Sequence, residues 1–140
     1  MGCAPPIWHV LLPLATLLPT AAPPAGGATP AVVRGSATYR IHCATCHGTT
    51  AHGDGPLAER LRFAPPDLTQ ITRRNGDRFP TDKVMRIIDG RENLKGHGGT
   101  DMPVWGDIFL QSGEGYDRAK VKERIEELVQ YLASLQESRP

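Results

Sequence analysis

The stretch Cys43-Ala44-Thr45-Cys46-His47 decides how the rest of the chain is interpreted. Its two thiols are separated by about one helical turn, and an imidazole directly follows the second thiol. Thiols at this spacing can add to the two vinyl groups along one side of a porphyrin, and the adjacent imidazole can then reach the iron. The motif is therefore typical of one covalently attached haem c, with His47 as an axial iron ligand.

Three other interpretations explain less of this motif. A zinc ribbon needs a second pair of ligands, and the only further cysteine is Cys3. A thioredoxin-like dithiol expects a preceding strand in a βαβ pattern, whereas the flanking sequence predicts helix. A disulfide between Cys43 and Cys46 gives His47 no role. A zinc or structural dithiol module stays as an alternative, and it predicts a protein without haem.

A second axial ligand should follow later in the chain, and His or Met is usual for an electron-transfer haem. Four residues qualify: His52, Met85, His97 and Met102. His52 lies too close to His47 to reach the opposite face, and Met85 lies in a predicted helix where a core role fits better. We predict Met102, whose backbone the following proline keeps extended, and retain His97 as the alternative.

Helix signals frame the motif. Thr29 is a good N-cap and Pro30 suits the first helical position, so a helix is predicted from here to about Thr45. Gly48 can adopt a positive φ and should end this helix. The region that follows contains many Gly, Pro, Asp and Asn residues, and it predicts loops with one short helix at 57–63.

Two further helices are predicted in the second half of the chain. Thr81 should cap a helix over 82–89, and Gly90 should end it. The last helix has the clearest signal, since apolar residues recur at the spacing of one helix face: Val121, Ile125, Leu128, Leu132 and Leu135. No alternating run is long enough to predict a strand, so the predicted fold class is all-α.

Length and charge restrict the organisation and the partners. A chain of 140 residues predicts one domain, and a net charge of +1 gives no sign of nucleic-acid binding. Residues 1–33 contain no Asp, Glu, Lys or Arg, and their apolar run at 7–18 is shorter than the roughly 20 residues of a membrane span. We expect residues 1–28 to form a signal peptide with a Pro/Gly/Ala-rich segment, which places the protein in the periplasm. An uncleaved anchor and a misassigned start are the alternatives.

The chain resembles the class I c-type cytochromes of bacteria over about residues 30–136. The resemblance rests on C-x-x-C-H near the start, Met-Pro late, an amphipathic last helix, and four residues at the helix crossing: Gly35, Tyr39, Leu128 and Tyr131. It implies that residues 29–140 are a cytochrome c domain. About four helices would surround one covalently bound haem, with the first and last helices crossing.

The resemblance also implies further residues of the pocket. The Pro56 carbonyl would accept a hydrogen bond from the His47 ring and so orient the imidazole, although a plain turn proline is the alternative. Leu68 and Trp105 match family positions that line or edge the haem, although a core Leu or Trp would need no cofactor.

The implied function is single-electron transfer between exported or membrane-bound redox partners. Cys43 and Cys46 would hold the haem, His47 and Met102 would ligate its iron, and no enzymatic turnover is expected. The alternatives are a haem subunit of a larger oxidoreductase and a haem protein with an open iron site that binds gas or acts as a peroxidase.

We expect redox proteins to be the electron donor and acceptor. Any peripheral association with a membrane would occur through these partners. The protein itself would be a monomer or a subunit of a redox complex. Nine basic and five acidic residues leave residues 60–95 with a net charge of +4, which indicates either a docking surface or a solvated face.

Overall fold

The computed structural model describes residues 1–2, 27–92, 102–112 and 117–137. Within these ranges the chain forms no strand, and it forms six helices: Pro30–His42 (α1), Ala44–His47 (α2), Ile71–Arg74 (α3), Thr81–Asp89 (α4), Trp105–Gln111 (α5) and Arg118–Ser134 (α6). Single 3-10 turns occupy Ala58–Arg60 and Leu68–Gln70. The all-α prediction is therefore confirmed. No helix in the described ranges has the length and apolar character to cross a membrane.

Two sequence predictions fall on other parts of the chain. Most of the predicted signal segment, including Cys3, lies outside the described residues, and so does His97. Both therefore stay predictions.

The first helix begins as its cap predicts, but it is interrupted earlier than expected. The Thr29 hydroxyl accepts a hydrogen bond from the Val32 N–H at 3.3 Å. Cys43 then adopts φ −115°, away from the usual helical value near −63°, so α1 ends at His42 and the single turn α2 follows. Gly48 ends α2 with φ 81°, as predicted.

Other element predictions need correction. The short helix predicted at 57–63 is only the 3-10 turn at Ala58–Arg60. Thr81 is the first residue of α4 and makes no capping hydrogen bond, because Pro80 occupies the cap position. Gly90 ends α4 in the left-handed conformation, as predicted. Helices α3 and α5 carry too few turns to give a periodic signal and depend on tertiary contacts.

Helices α1 and α6 cross, and their contact is the most extensive between two helices of the described residues. A Cβ at Gly35 would lie 2.6 Å from the Glu127 carbonyl carbon and 2.9 Å from Tyr131 Cβ, so only glycine permits this approach. Tyr39 is fully buried, with its ring centroid 5.4 Å from that of Tyr131. Its hydroxyl donates to the Gly48 carbonyl at 2.8 Å, which ties the end of α2 to the crossing. Burial raises the pKa of Tyr39 above its usual range, so the hydroxyl remains a donor.

The last helix carries the core as its apolar pattern predicts. Asp117 caps it by accepting the Lys120 N–H at 2.9 Å. Its buried apolar residues are Val121, Ile125, Leu128, Val129 and Leu132. Helices α4 and α5 pack on α6 and on each other, and this arrangement leaves a cavity beside α1 and α2.

Candidate cofactor site

A cavity of about 270 Å³ brings most of the predicted site residues together. Natural cores leave few voids larger than a water molecule, and ligand pockets have volumes of roughly 300–1,000 Å³. The cavity is far larger than a packing defect and close to the lower end of the ligand-pocket range, so it is the candidate cofactor site. Six of the seven predicted site residues line it: Cys43, Cys46, His47, Leu68, Met102 and Trp105.

Helix α2 places the C-x-x-C-H motif on the cavity wall. The Cys43 carbonyl accepts both the Cys46 N–H at 3.1 Å and the His47 N–H at 2.9 Å, and these bonds close the turn. His47 is buried, whereas the two cysteines are partly buried. The two thiols and the imidazole of this single turn therefore line the same cavity.

The loop after the motif folds back on this turn. The Gly53 N–H donates to the His47 carbonyl at 2.8 Å, and the Gly55 N–H donates to the Cys46 carbonyl at 3.2 Å. A Cβ at Gly55 would lie 2.6 Å from the carbonyl carbon and oxygen of Cys46, so the loop needs glycine there. Pro56 is exposed and does not line the cavity, and its hydrogen bond to the His47 ring stays a prediction.

The two thiols of the motif are free, and burial disfavours the thiolate form of Cys43. Burial, with a smaller contribution from Cys46, raises the pKa of the Cys43 thiol to about 12, and a protonated thiol is a poor metal ligand and a poor redox nucleophile. Across residues 27–92, 102–112 and 117–137, no group of three or more His, Cys, Asp and Glu side chains could hold a metal ion. The zinc alternative therefore finds no ligand set there.

The later part of the chain supplies a thioether to the same cavity. Met102 is partly buried and packs against the core. Met85 also packs against the core, but it does not line this cavity. His52 is exposed and lies 3.3 Å from the Glu137 carboxylate. Of the ligand candidates within the described residues, Met102 is therefore the one that shares the cavity with His47.

Trp105 and His42 line the cavity, and Phe109 packs against both rings. Trp105 is the first residue of α5, and its ring centroid lies 5.3 Å from that of His42. Phe109 lies 5.2 Å from His42, and the Arg124 guanidinium lies 4.6 Å above the Phe109 ring. Sequence reasoning missed His42, although its spacing of three from Tyr39 places the two on one face of α1.

The charged side chains that line the cavity are cationic. Arg74 and Lys83 contribute to the lining, and no described Asp or Glu does. The Arg74 guanidinium donates to the Asp67 carbonyl, and the Asn75 amide donates to the Ile71 carbonyl at 2.8 Å. An apolar cavity with two cations and no acid suits an apolar ligand that ends in carboxylates, as haem does. From the sequence alone, only the net positive charge of residues 60–95 could be predicted for this region.

One known protein family matches most of this chain. A family model described as cytochrome c oxidase, cbb3-type, subunit III matches residues 30–132. The matched span begins at the first residue of α1 and contains every predicted site residue. No curated protein matches the chain at a significant level.

Proposed function

The chain belongs to the c-type cytochrome family described as cytochrome c oxidase, cbb3-type, subunit III, and from this premise we propose that it is a monohaem electron carrier. Family membership implies haem binding and a role in electron transfer. We propose in addition that the chain carries one covalent haem with the ligands named below, and that it has no enzymatic turnover. One observation carries it: two thiols, an imidazole and a thioether line the same apolar cavity.

The four side chains divide into two roles. Cys43 and Cys46 would each add their S–H across one vinyl group, which forms two thioethers without an external oxidant. His47 and Met102 would hold the iron in both oxidation states, so little would move on electron transfer. When bound, the haem supplies a one-electron iron couple, and Met/His ligation raises its potential.

The rest of the lining would tune this couple. Apolar residues such as Leu68 and Trp105 exclude water, and a dry pocket disfavours the additional positive charge of the ferric state. Arg74 and Lys83 would pair with the two propionates. Both features favour the reduced state and therefore a more positive potential.

Cytochrome c domains are typically exported or membrane-associated, and we place this one in the periplasm, with residues 1–28 as the signal segment. The basic residues of 60–95 would dock redox proteins, since several of them are exposed: Arg60, Arg62, Arg73, Arg78 and Arg86. The family description names an oxidase subunit, so a haem subunit of a larger oxidoreductase is the second candidate function. Size-exclusion chromatography of mildly solubilised cell membranes and periplasm separates a free carrier from a subunit of a larger assembly.

The proposed function is tested by optical spectra of the purified protein during a redox titration. We expect low-spin spectra in both states, a one-electron Nernst curve and no binding of CO. A high-spin spectrum with rapid CO binding would establish the open-site alternative instead. A colourless protein would support the dithiol module. In His47→Ala, maturation itself should fail, because the imidazole is needed to seat the iron.

A further inference from the structure

The segment that forms one wall of the cavity is too short to be stable on its own. The segment Leu68–Arg74 consists of one 3-10 turn and the single-turn helix α3. Leu68, Ile71 and Arg74 of this segment line the cavity. Helical pieces this short are not stable alone, because ordering the first turn costs more free energy than its few hydrogen bonds return. Contacts from elsewhere in the chain must therefore fix the wall.

Gln136, just after α6, supplies the central contact. Its side-chain oxygen accepts the Thr72 N–H at 2.8 Å, and its amide nitrogen donates to the carbonyls of Leu68 at 2.9 Å and Leu132 at 2.7 Å. The Thr72 N–H belongs to the first turn of α3, whose donors have no partner within the helix. The partly buried Gln136 amide thus caps α3 and pairs with the Leu68 carbonyl. Through these bonds it connects the Leu68–Arg74 wall to the end of α6.

Glu137 adds contacts nearer the surface. Its backbone N–H donates to the Thr69 carbonyl at 3.1 Å, and its carboxylate accepts the Gln70 amide. The carboxylate also lies 3.3 Å from the His52 ring. Exposed polar pairs of this kind contribute little to stability, so the partly buried amide of Gln136 has the larger role.

We propose that Gln136 is a positioning residue that sets the haem potential by fixing the Leu68–Arg74 wall. The proposal rests on the proposed function. A loosened wall admits water beside the iron porphyrin, and water stabilises the ferric state, which carries one more positive charge than the ferrous state. The family match ends at residue 132, so Gln136 lies outside the matched span, whereas its partners Leu68 and Thr72 lie within it.

Gln136→Met tests the proposal, because methionine keeps the side-chain length and removes both hydrogen-bonding groups. In the haem-loaded full chain we expect faster hydrogen exchange of the Thr72 amide and a more negative midpoint potential. The expected change is about threefold in the ratio of oxidised to reduced protein at fixed potential. This corresponds to about 28 mV, at 59 mV per tenfold change for one electron.

Two controls separate positioning from general stability. Gln130→Met changes an exposed glutamine of α6 and should alter neither measurement. Ile125→Val weakens the buried face of α6 at a residue that does not line the haem cavity, and it should leave the potential unchanged.

The proposal is overturned by an unchanged potential in Gln136→Met, whether or not the Thr72 amide exchanges faster. It is also overturned if Ile125→Val shifts the potential as much as Gln136→Met does. A wild-type protein without haem overturns the proposed function, and that outcome is recognised from the wild-type spectrum before any variant is compared.

Discussion

Replacing Gly35 with alanine should separate α1 from α6. The added Cβ would lie 2.6 Å from the Glu127 carbonyl carbon and 2.9 Å from Tyr131 Cβ, and the carbonyl is backbone that cannot rotate away. Overpacking costs about 1–3 kcal/mol, and a backbone obstacle places this substitution near the upper value, at about 3 kcal/mol. The higher helix propensity of alanine offsets about 1 kcal/mol of this loss. The free energy of unfolding should therefore fall by about 2 kcal/mol, which lowers Tm by about 10 °C in a domain of this size.

Thermal unfolding of the haem-loaded protein, followed by circular dichroism, measures this loss. Ala37→Gly, on the exposed side of the same helix, is the matched control, because it reports helix propensity without a clash. It should lower stability by about 1 kcal/mol. A Gly35→Ala protein as stable as the wild type would show that the helices have room for a side chain at their crossing, contrary to the predicted clash.

Three further predictions concern the pocket and its rim. Met102→Ala should keep the haem attached, lower its potential and open the iron to added ligands; an unchanged spectrum and potential in a redox titration would remove Met102 from the ligand set. Arg74→Gln should lower the potential relative to the exposed neighbour control Arg73→Gln, because only Arg74 lines the cavity; equal potentials would contradict a cation–propionate pair. Desolvation by burial raises the pKa of the Asp67 carboxyl, but hydrogen bonds from the Thr69 hydroxyl and N–H outweigh it and hold that pKa below its usual range. The carboxylate therefore stabilises the fold above its ordinary pKa of about 3.9, and this contribution is lost as the pH falls through the lowered value. Urea unfolding should show the wild type more stable than Asp67→Asn at pH 6 and the difference vanishing in acid; a difference independent of pH would contradict this assignment.

The parts of the fold that the sequence predicted are those with strong local signals. The C-x-x-C-H motif, the Thr29 cap, the glycine at 48 and the apolar stripe of α6 each have a physical cause that lies within a few residues. The family resemblance implied the crossing of α1 and α6. The structure gives the physical reason, because the absence of a Cβ at Gly35 lets the two helices approach closely. In these places local preference and tertiary packing agree.

The parts that were missed are held by distant contacts. Helix α3 has four residues and is capped by Gln136, which lies 64 positions away from Thr72, so no local pattern predicts it. Helix α5 has seven residues, and its first turn carries Trp105 into the cavity without a side-chain cap. The cations Arg74 and Lys83 stand in a generally basic stretch, and only the folded chain shows that these two line the cavity.

Covalent attachment of one haem through Cys43 and Cys46 is the central claim. The intact mass of the purified protein, measured under denaturing conditions, tests it most directly. We expect the mass of the mature polypeptide plus one haem, and the loss of that increment when both cysteines are replaced by serine. A wild-type mass equal to that of the polypeptide alone would show that no haem is attached.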